Sequence, residues 1–162
     1  MKRLTYLLAT MLIGGMIFTS CKKDEKKVDP TPAPTTAKIV YKIDNTMTVM
    51  GVQMTASDCF SYNIIYKGAD GNNVNVNNVK LPWTSPEVTV NLPFDARFEG
   101  TATYNENELP DVLNYGHRYS ISASGVELTR DGDISDYTKA SFIQFVTENP
   151  EELHFTCSFN VH

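Results

Sequence analysis

Acidic and hydroxyl side chains crowd one short loop in the C-terminal third of the chain. Asp131, Asp133, Ser135 and Asp136 place oxygen atoms close together, and oxygen ligands are what Ca²⁺ takes in proteins. The loop lacks the glycine at the sixth position and the glutamate at the twelfth that an EF-hand needs. Asp131-Gly132 is also a strong hairpin turn signal in its own right. The pattern therefore favours a solvated turn and leaves a calcium site as the weaker alternative.

Two cysteines, Cys59 and Cys157, could form a disulfide in an exported protein. The bond would close a loop of about a hundred residues, worth roughly 4 kcal/mol in the chain-entropy account. The pattern argues against it, because Cys157 shares an apolar strand face with Phe155 while Cys59 falls on the opposite parity from Phe60. A bridge and two free thiols both stay open, and a buried free cysteine needs no further role.

The histidines offer no catalytic or metal-binding arrangement. His154-x-x-Cys157 has the spacing of a metal-ligand pair, but residues three apart on a strand point to opposite faces. His117 and His162 lie at other places in the sequence, so we predict no metal, no cofactor and no histidine-based triad. A non-enzymatic protein is the expectation. A small hydrolase, with two carboxylates held across a cleft, is the third alternative for the function.

A single tryptophan, Trp83, lies in a connection bracketed by Pro82 and Pro86. It could cap the core, which is the usual fate of such a side chain, or contact a partner from a loop at the end of the domain. The first alternative is favoured.

Period-two alternation of apolar residues recurs along residues 38–162, whereas helical spacing does not. Apolar side chains on alternate positions are typical of half-buried antiparallel strands. The clearest sets are Ile39, Tyr41 and Ile43; Phe60, Tyr62, Ile64 and Tyr66; Val88, Val90, Leu92 and Phe94; Phe98, Ala102 and Tyr104; Tyr119, Ile121 and Ala123; and Leu153, Phe155, Cys157, Phe159 and Val161. We predict one all-β domain over 38–162, an antiparallel β-sandwich of about seven or eight strands.

A local motif refines that fold. Leu113-x-x-Gly116-x-x-Tyr119 resembles the corner before strand F of fibronectin type III and other immunoglobulin-like domains. The resemblance implies an immunoglobulin-like sandwich in which the Tyr119 hydroxyl bonds back to upstream backbone, a tyrosine corner.

A second resemblance involves Tyr66, Asp70-Gly71-Asn72 and Val79-Lys80-Leu81-Pro82-Trp83. These residues are similar to a strand, turn and Leu-Pro-Trp stretch in the mycobacterial small membrane proteins that accompany large exporters. Those proteins have an immunoglobulin-like periplasmic domain that is held by a transmembrane helix. This chain differs from them in its anchor, which is predicted to be a lipid. The resemblance implies an envelope partner.

The N-terminus reads as a secretion signal. Lys2 and Arg3 precede an apolar stretch, 4–18, that is shorter than the roughly twenty residues a membrane-spanning helix needs. Small residues follow it, as in a cleavable signal peptide over 1–20. Phe18-Thr19-Ser20-Cys21 resembles the lipobox of bacterial lipoproteins, which implies a lipid on Cys21.

Residues 21–37 form the predicted tether of the lipidated cysteine to the domain. Lys22-Lys23-Asp24-Glu25 resembles the export signal of Bacteroidota surface lipoproteins, which implies display on the cell surface, with a periplasm-facing location as the alternative. Pro30, Pro32 and Pro34 favour a semi-rigid polyproline II spacer of roughly 50 Å at most.

The charge of the predicted domain narrows its partners. Residues 38–162 hold eight Lys/Arg and sixteen Asp/Glu. This acidic balance excludes nucleic acid as a binding partner and disfavours binding to anionic lipid headgroups. The membrane is therefore a partner only through the lipid on Cys21. The sequence predicts an outer-membrane, lipid-anchored binding module for an unidentified protein or glycan. An accessory subunit of an envelope export or assembly complex is the alternative.

Overall fold

The computed structural model of the protein describes residues 34–162. Strands hold 61 % of these residues and helices 13 %, so the predicted all-β class is confirmed. The strands are β1 (Thr36–Asp44), β2 (Thr46–Val49), β3 (Val52–Thr55), β4 (Phe60–Lys67), β5 (Asn73–Val79), β6 (Trp83–Thr84), β7 (Val88–Asn91), β8 (Phe94–Tyr104), β9 (Val112–Gly116), β10 (Arg118–Ala123), β11 (Val126–Asp131), β12 (Ile134–Thr138) and β13 (His154–Val161). The helices are α1 (Lys139–Glu148) and two short 3-10 helices, Glu106–Glu108 and Pro150–Leu153. Within 34–162, none of them is long and apolar enough to cross a membrane.

β1 organises the first sheet, whose strand order is β11-β10-β1-β6 with β7 also paired to β1. All of these pairs are antiparallel. Burial alternates along β1 because successive side chains point to opposite faces of a sheet. Ile39, Tyr41 and Ile43 are fully buried on its inner face.

The second sheet has the order β13-β8-β4-β5, again antiparallel. β4 shows strict alternation, with Tyr62 and Ile64 buried and their neighbours in the chain half-exposed. Aromatic rings join the two sheets: Tyr41 of the first lies 5.1 Å from Tyr66 and 5.7 Å from Phe98 of the second, centroid to centroid. The two inner faces therefore close one apolar core, and the predicted β-sandwich is confirmed.

Two strand pairs and the helix α1 lie outside the two sheets. β9 and β12 pair only with each other in the described residues, as do β2 and β3. The helix α1 starts with a capping box between Thr138 and Ser141. It buries Phe142 and Val146, four residues apart on one face, so that Phe142 packs on Phe60 at a centroid distance of 5.4 Å.

The structure corrects three details of the sequence prediction. Residues 34–162 contain thirteen strands rather than seven or eight, because short pairs such as β2–β3 carry too few buried positions for a strong alternation. The helix α1 was not expected, since its apolar stripe covers only about two turns. β1 begins at Thr36 with Ala37 buried, so the last two residues of the predicted tether belong to the sandwich.

Candidate functional site

The outer face of the second sheet is lined by polar side chains from four strands, and we call it the polar face. It forms a shallow depression of about 430 Å³. Its outward-pointing members are Asn63, Ile65, Asn75, Asn77, Glu99, Thr101, His154 and Thr156. Strand register arranges most of these residues in two rows that run across the strands.

The first row joins β4, β8 and β13. Asn63 lies opposite Thr101, and Thr101 lies opposite His154. The Thr101 hydroxyl and His154 Nδ1 are 2.8 Å apart and hydrogen-bonded. The backbone amide of Asn78 donates to Asn63 Oδ1 at 3.1 Å, which holds that side chain in place. The row therefore presents an amide, a hydroxyl and an imidazole in a fixed order.

The second row crosses all four strands, with Asn75 opposite Ile65, Ile65 opposite Glu99, and Glu99 opposite Thr156. Arg97 donates from Nε and Nη2 to Glu99 Oε2, at 3.1 and 2.7 Å. Because neighbouring strands lie about 4.8 Å apart, the two rows form a grid of donors and acceptors. Ile65 is the one apolar side chain in that grid.

A second depression, the aromatic cleft, adjoins the polar face and shares His154 and Phe155 with it. Its volume is about 170 Å³. Its walls come from β9, β10, β12, β13, α1, the Pro150–Leu153 3-10 helix and the loop between β11 and β12. Its side chains are Tyr115, His117, Tyr119, Asp133, Ser135, Tyr137, Phe145, Glu152, His154 and Phe155.

Aromatic stacking fixes the shape of the cleft. The rings of Tyr119 and Phe155 stack at a centroid distance of 4.7 Å, and Tyr137 packs on Phe145 at 5.2 Å. The Tyr115 hydroxyl donates to the Glu152 carbonyl at 2.8 Å. Burial raises the pKa of Tyr115 far above its usual value. The cleft is thus a rigid aromatic pocket with carboxylates at its edge.

His117 forms the floor of this cleft and is only 7 % exposed. Its backbone amide donates to the Asp133 carbonyl at 3.1 Å, but its Nδ1 has no hydrogen-bond partner among the described residues. Burial lowers the pKa of His117 to about 4. The imidazole is therefore neutral at pH 7, and it is not poised as a general base near neutrality.

The acidic loop does not assemble a calcium site. Asp131 Oδ1 accepts from the Gly132 amide and Asp133 Oδ1 from the Ile134 amide, each at 2.8 Å. Ser135 and Asp136 are successive residues of β12 and so point to opposite faces. Within residues 34–162, no group of three or more His, Cys, Asp or Glu side chains is placed to hold a metal ion. The carboxylates instead cap the turn, as its Asp-Gly signal predicted.

The two thiols are free, so the disulfide alternative is wrong. Cys157 is buried on the inner face of β13, and Cys59 is half-buried just before β4. Burial raises the pKa of both thiols, which disfavours the nucleophilic thiolate. On the same strand, His154 is exposed while Cys157 is buried, so the expected placement of this pair on opposite faces is confirmed.

The tyrosine corner is not present in the form the resemblance implied. Leu113 is buried on β9 and Gly116 ends that strand. No hydrogen bond links the Tyr119 hydroxyl to upstream backbone in the described part of the chain, and burial, followed by the charge of Asp131, raises the pKa of Tyr119. Gly116 has another role: its φ is +142°, and a β-carbon there would lie 1.9 Å from the Asp133 carbonyl oxygen.

Trp83 packs into the core rather than facing a partner. It is half-buried on β6, stacks on Phe98 at 6.0 Å and lies 5.8 Å from the Tyr66 ring. This packing agrees with the favoured alternative, in which Trp83 caps the core. The lipid-attachment residue, Cys21, lies outside the described residues.

Sequence reasoning missed the polar face and the aromatic cleft as sites. One signal was available: Asn73-Val74-Asn75-Val76-Asn77 alternates strictly, which predicts a strand with amides along one face. The rest depends on register between strands far apart in the chain. No protein-family model matches this chain, and no curated protein matches it in sequence.

Proposed function

We propose that the protein is a lipid-anchored binding module of the bacterial outer membrane, displayed at the cell surface, and that its ligand is a neutral glycan. The observation that carries the ligand assignment is the grid of amide, hydroxyl and imidazole groups on the polar face. Amides and hydroxyls both donate and accept, which matches the mixed donors and acceptors of sugar hydroxyls. Tyr119 and Tyr137 in the adjoining cleft supply aromatic surface for the apolar faces of sugar rings.

Charge argues for an uncharged ligand. Glu99 lies on the polar face, and Asp133 and Glu152 line the cleft. Arg97, which lies on the same strand as Glu99, is paired with it at 2.7 Å. An anionic ligand would meet these carboxylates, and the charge of Arg97 is already paired with one of them, so phosphate-bearing ligands and acidic sugars are disfavoured.

Composition argues for a glycan over a protein partner at this surface. The cores of protein interfaces are enriched in aromatic residues and depleted of charged ones. The polar face has one apolar side chain, Ile65, at its centre and a carboxylate, Glu99, directly opposite it. The accessory-subunit alternative also lacks support from Trp83, because that side chain packs on Phe98.

The ligand proposal is tested on a glycan array with the mature lipoprotein in mild detergent. Asn75→Ala removes an exposed amide from the polar face, and Asn91→Ala removes an exposed amide from β7 on the opposite sheet. Loss of one neutral hydrogen bond predicts a roughly threefold to tenfold weaker affinity for Asn75→Ala. Asn91→Ala should bind as the parent protein does. Equal binding by both variants would rule out the polar face as the site.

The anchor and the location are tested separately. Mass spectrometry of the purified mature chain should find acyl groups on residue 21, and protease treatment of intact cells should remove residues 34–162 while a periplasmic control protein survives. A chain that resists protease until the outer membrane is opened would favour the periplasm-facing alternative.

Hydrolysis is a second candidate, and one observation favours it. Asp133 and Glu152 line the same cleft as the buried His117, and two carboxylates across a cleft are the minimum that a glycosidase needs. Incubating the array-positive glycan with the protein and measuring chain length by mass spectrometry separates the two functions. Intact glycan is expected; shortening that Glu152→Gln abolishes would make the protein a hydrolase.

A further inference from the structure

The hairpin formed by β2 and β3 is unlike the rest of the domain. Within residues 34–162, its strands pair only with each other. None of the ten residues from Thr46 to Thr55 carries a charge, although residues 38–162 as a whole are strongly acidic. Exposed two-stranded ribbons are usually protected by charged side chains against unwanted association, and this one has none.

Four apolar side chains of the hairpin, Met47, Met50, Val52 and Met54, become more exposed toward its tip. Met47 lies opposite Met54 near the base, and both are half-buried. Val52, nearer the tip, is 64 % exposed, and Met50 in the turn is fully exposed. Neither tip residue belongs to the apolar core of the sandwich. The hairpin therefore presents its least polar atoms at its outermost point.

The two-residue turn of the hairpin holds Met50 in a backbone conformation that is unfavourable for a bulky side chain. Met50 has φ +48° and Gly51 has φ +82°. Two-residue hairpin turns with both central residues at positive φ prefer Asn-Gly or Asp-Gly, because a bulky side chain is strained there. Met50 thus combines left-handed backbone with full exposure of a large apolar side chain. Residues held in such sparsely populated backbone conformations cluster at functional sites.

We propose that the tip of this hairpin, Met50 and Val52, inserts into the lipid surface that holds the protein. The inference rests on the proposed lipid anchor at Cys21. Fifteen positions separate Cys21 from Thr36, where β1 begins, and fourteen separate Thr36 from Met50. A polyproline II tether of roughly 50 Å at most is about as long as fourteen residues at the rise of a strand, so the tip lies within reach of the anchoring leaflet.

The small size of the tip favours lipid over a protein partner. A stable protein interface needs roughly 800 Å² from each side, and two side chains supply a small part of that. A tethered domain needs much less, because the anchor keeps its local concentration at the membrane high. An uncharged tip is also the part of an acidic domain that approaches lipid headgroups with the least repulsion.

The test measures oxidation of Met50 by periodate, an anion that does not cross bilayers. The mature lipoprotein is reconstituted in phosphatidylcholine vesicles, with N-acetylmethionine amide in the same tube as a fully exposed standard. Two further measurements test the lipid anchor without involving the hairpin: flotation of the protein with the vesicles, and the mass of the acylated chain. Val52→Asp changes the tip, and Val126→Asp makes the same change at a β11 valine that is also 64 % exposed.

We expect Met50 to oxidise at least fivefold more slowly than the standard on vesicles, with protection lost in Val52→Asp and kept in Val126→Asp. Oxidation at the rate of the standard, in a chain that floats with the vesicles, would overturn the insertion and leave the anchor intact. Protection that persists after the vesicles are dissolved and grows with protein concentration would assign the tip to a second copy instead. A chain without lipid on Cys21 would overturn both the anchor and the insertion.

Discussion

Acidification should destabilise the protein through one residue, His117. Its imidazole is buried among the rings of Tyr62, Tyr115, Tyr119 and Phe155, with centroids 5.0–6.1 Å away. Burial lowers the pKa of His117 to about 4 in the folded protein, against 6.5 in a solvated chain. As the pH falls below 6.5 the unfolded chain takes up a proton that the folded protein refuses. Above pH 6.5, His117 is neutral in both states and does not lower the free energy of unfolding. That free energy falls as the pH is lowered from 6.5 toward 4.

The size of the effect follows from that separation. The whole difference in pKa corresponds to about 3 kcal/mol, and about 2 kcal/mol of it is lost by pH 5, where most free carboxylates are still ionised. A domain of this kind has a total stability of roughly 5–15 kcal/mol. The loss is then large enough to shift a denaturation midpoint clearly.

Urea denaturation at pH 7.5 and pH 5, followed by the fluorescence of Trp83, measures this loss. His117→Leu is the informative variant, because leucine has a similar volume and cannot be protonated. Replacing a buried polar atom that lacks a partner should leave stability at pH 7.5 within about 1–2 kcal/mol of the parent. The parent should lose about 2 kcal/mol more than the variant between the two pH values. The same loss in both proteins would refute the assignment of the pH dependence to His117.

Three further predictions concern the packing of the sandwich and its turns. Gly116→Ala should lower the free energy of unfolding, measured by urea denaturation, by at least about 2 kcal/mol more than Gly125→Ala does. Both glycines have positive φ, but of the two only Gly116 has backbone atoms where a β-carbon would lie. Equal losses in the two variants would contradict the close approach of backbone to Gly116. Cys59 and Cys157 should both react with a thiol reagent in unfolded, unreduced protein, and recovery of no free thiol would show a disulfide. Trp83→Ala should lower stability by about 2–4 kcal/mol through lost core packing, whereas an unchanged denaturation midpoint would return Trp83 to the surface.

The strand faces of this protein could be predicted from sequence because its strands are half-buried and antiparallel. In β4 the predicted inward residues, from Phe60 to Tyr66, are those that the structure buries. The same parity placed His154 outside and Cys157 inside on β13. Alternation of this kind is a local property, so it survives without knowledge of the neighbouring strands.

The details that failed depend on contacts between distant parts of the chain. A tyrosine hydroxyl needs a nearby backbone carbonyl, and the sequence alone suggested Tyr119. In the structure, the Tyr41 hydroxyl donates to the Lys67 carbonyl and the Tyr115 hydroxyl donates to the Glu152 carbonyl. Which carbonyl lies within reach is decided by how the sheets pack, and a local motif cannot supply it.

The candidate site was hidden for the same reason. Asn63, Thr101 and His154 are far apart in sequence, and they form one row only because β4, β8 and β13 pair in one register. A shift of one residue in any pair would send these side chains to the opposite face. The alternating asparagines of β5 indicated a polar strand face, but not what lies beside it.

The proposal that a glycan binds to the polar face is tested most directly by nuclear magnetic resonance of the ¹⁵N-labelled mature lipoprotein during titration with the array-positive glycan. Side-chain amide signals are site-specific, and asparagines lie both on the polar face and far from it. The signals of Asn63, Asn75 and Asn77 should shift while that of Asn91 stays fixed. Fixed signals on the polar face, or shifts confined to Asn91 and the first sheet, would contradict a ligand site on this surface.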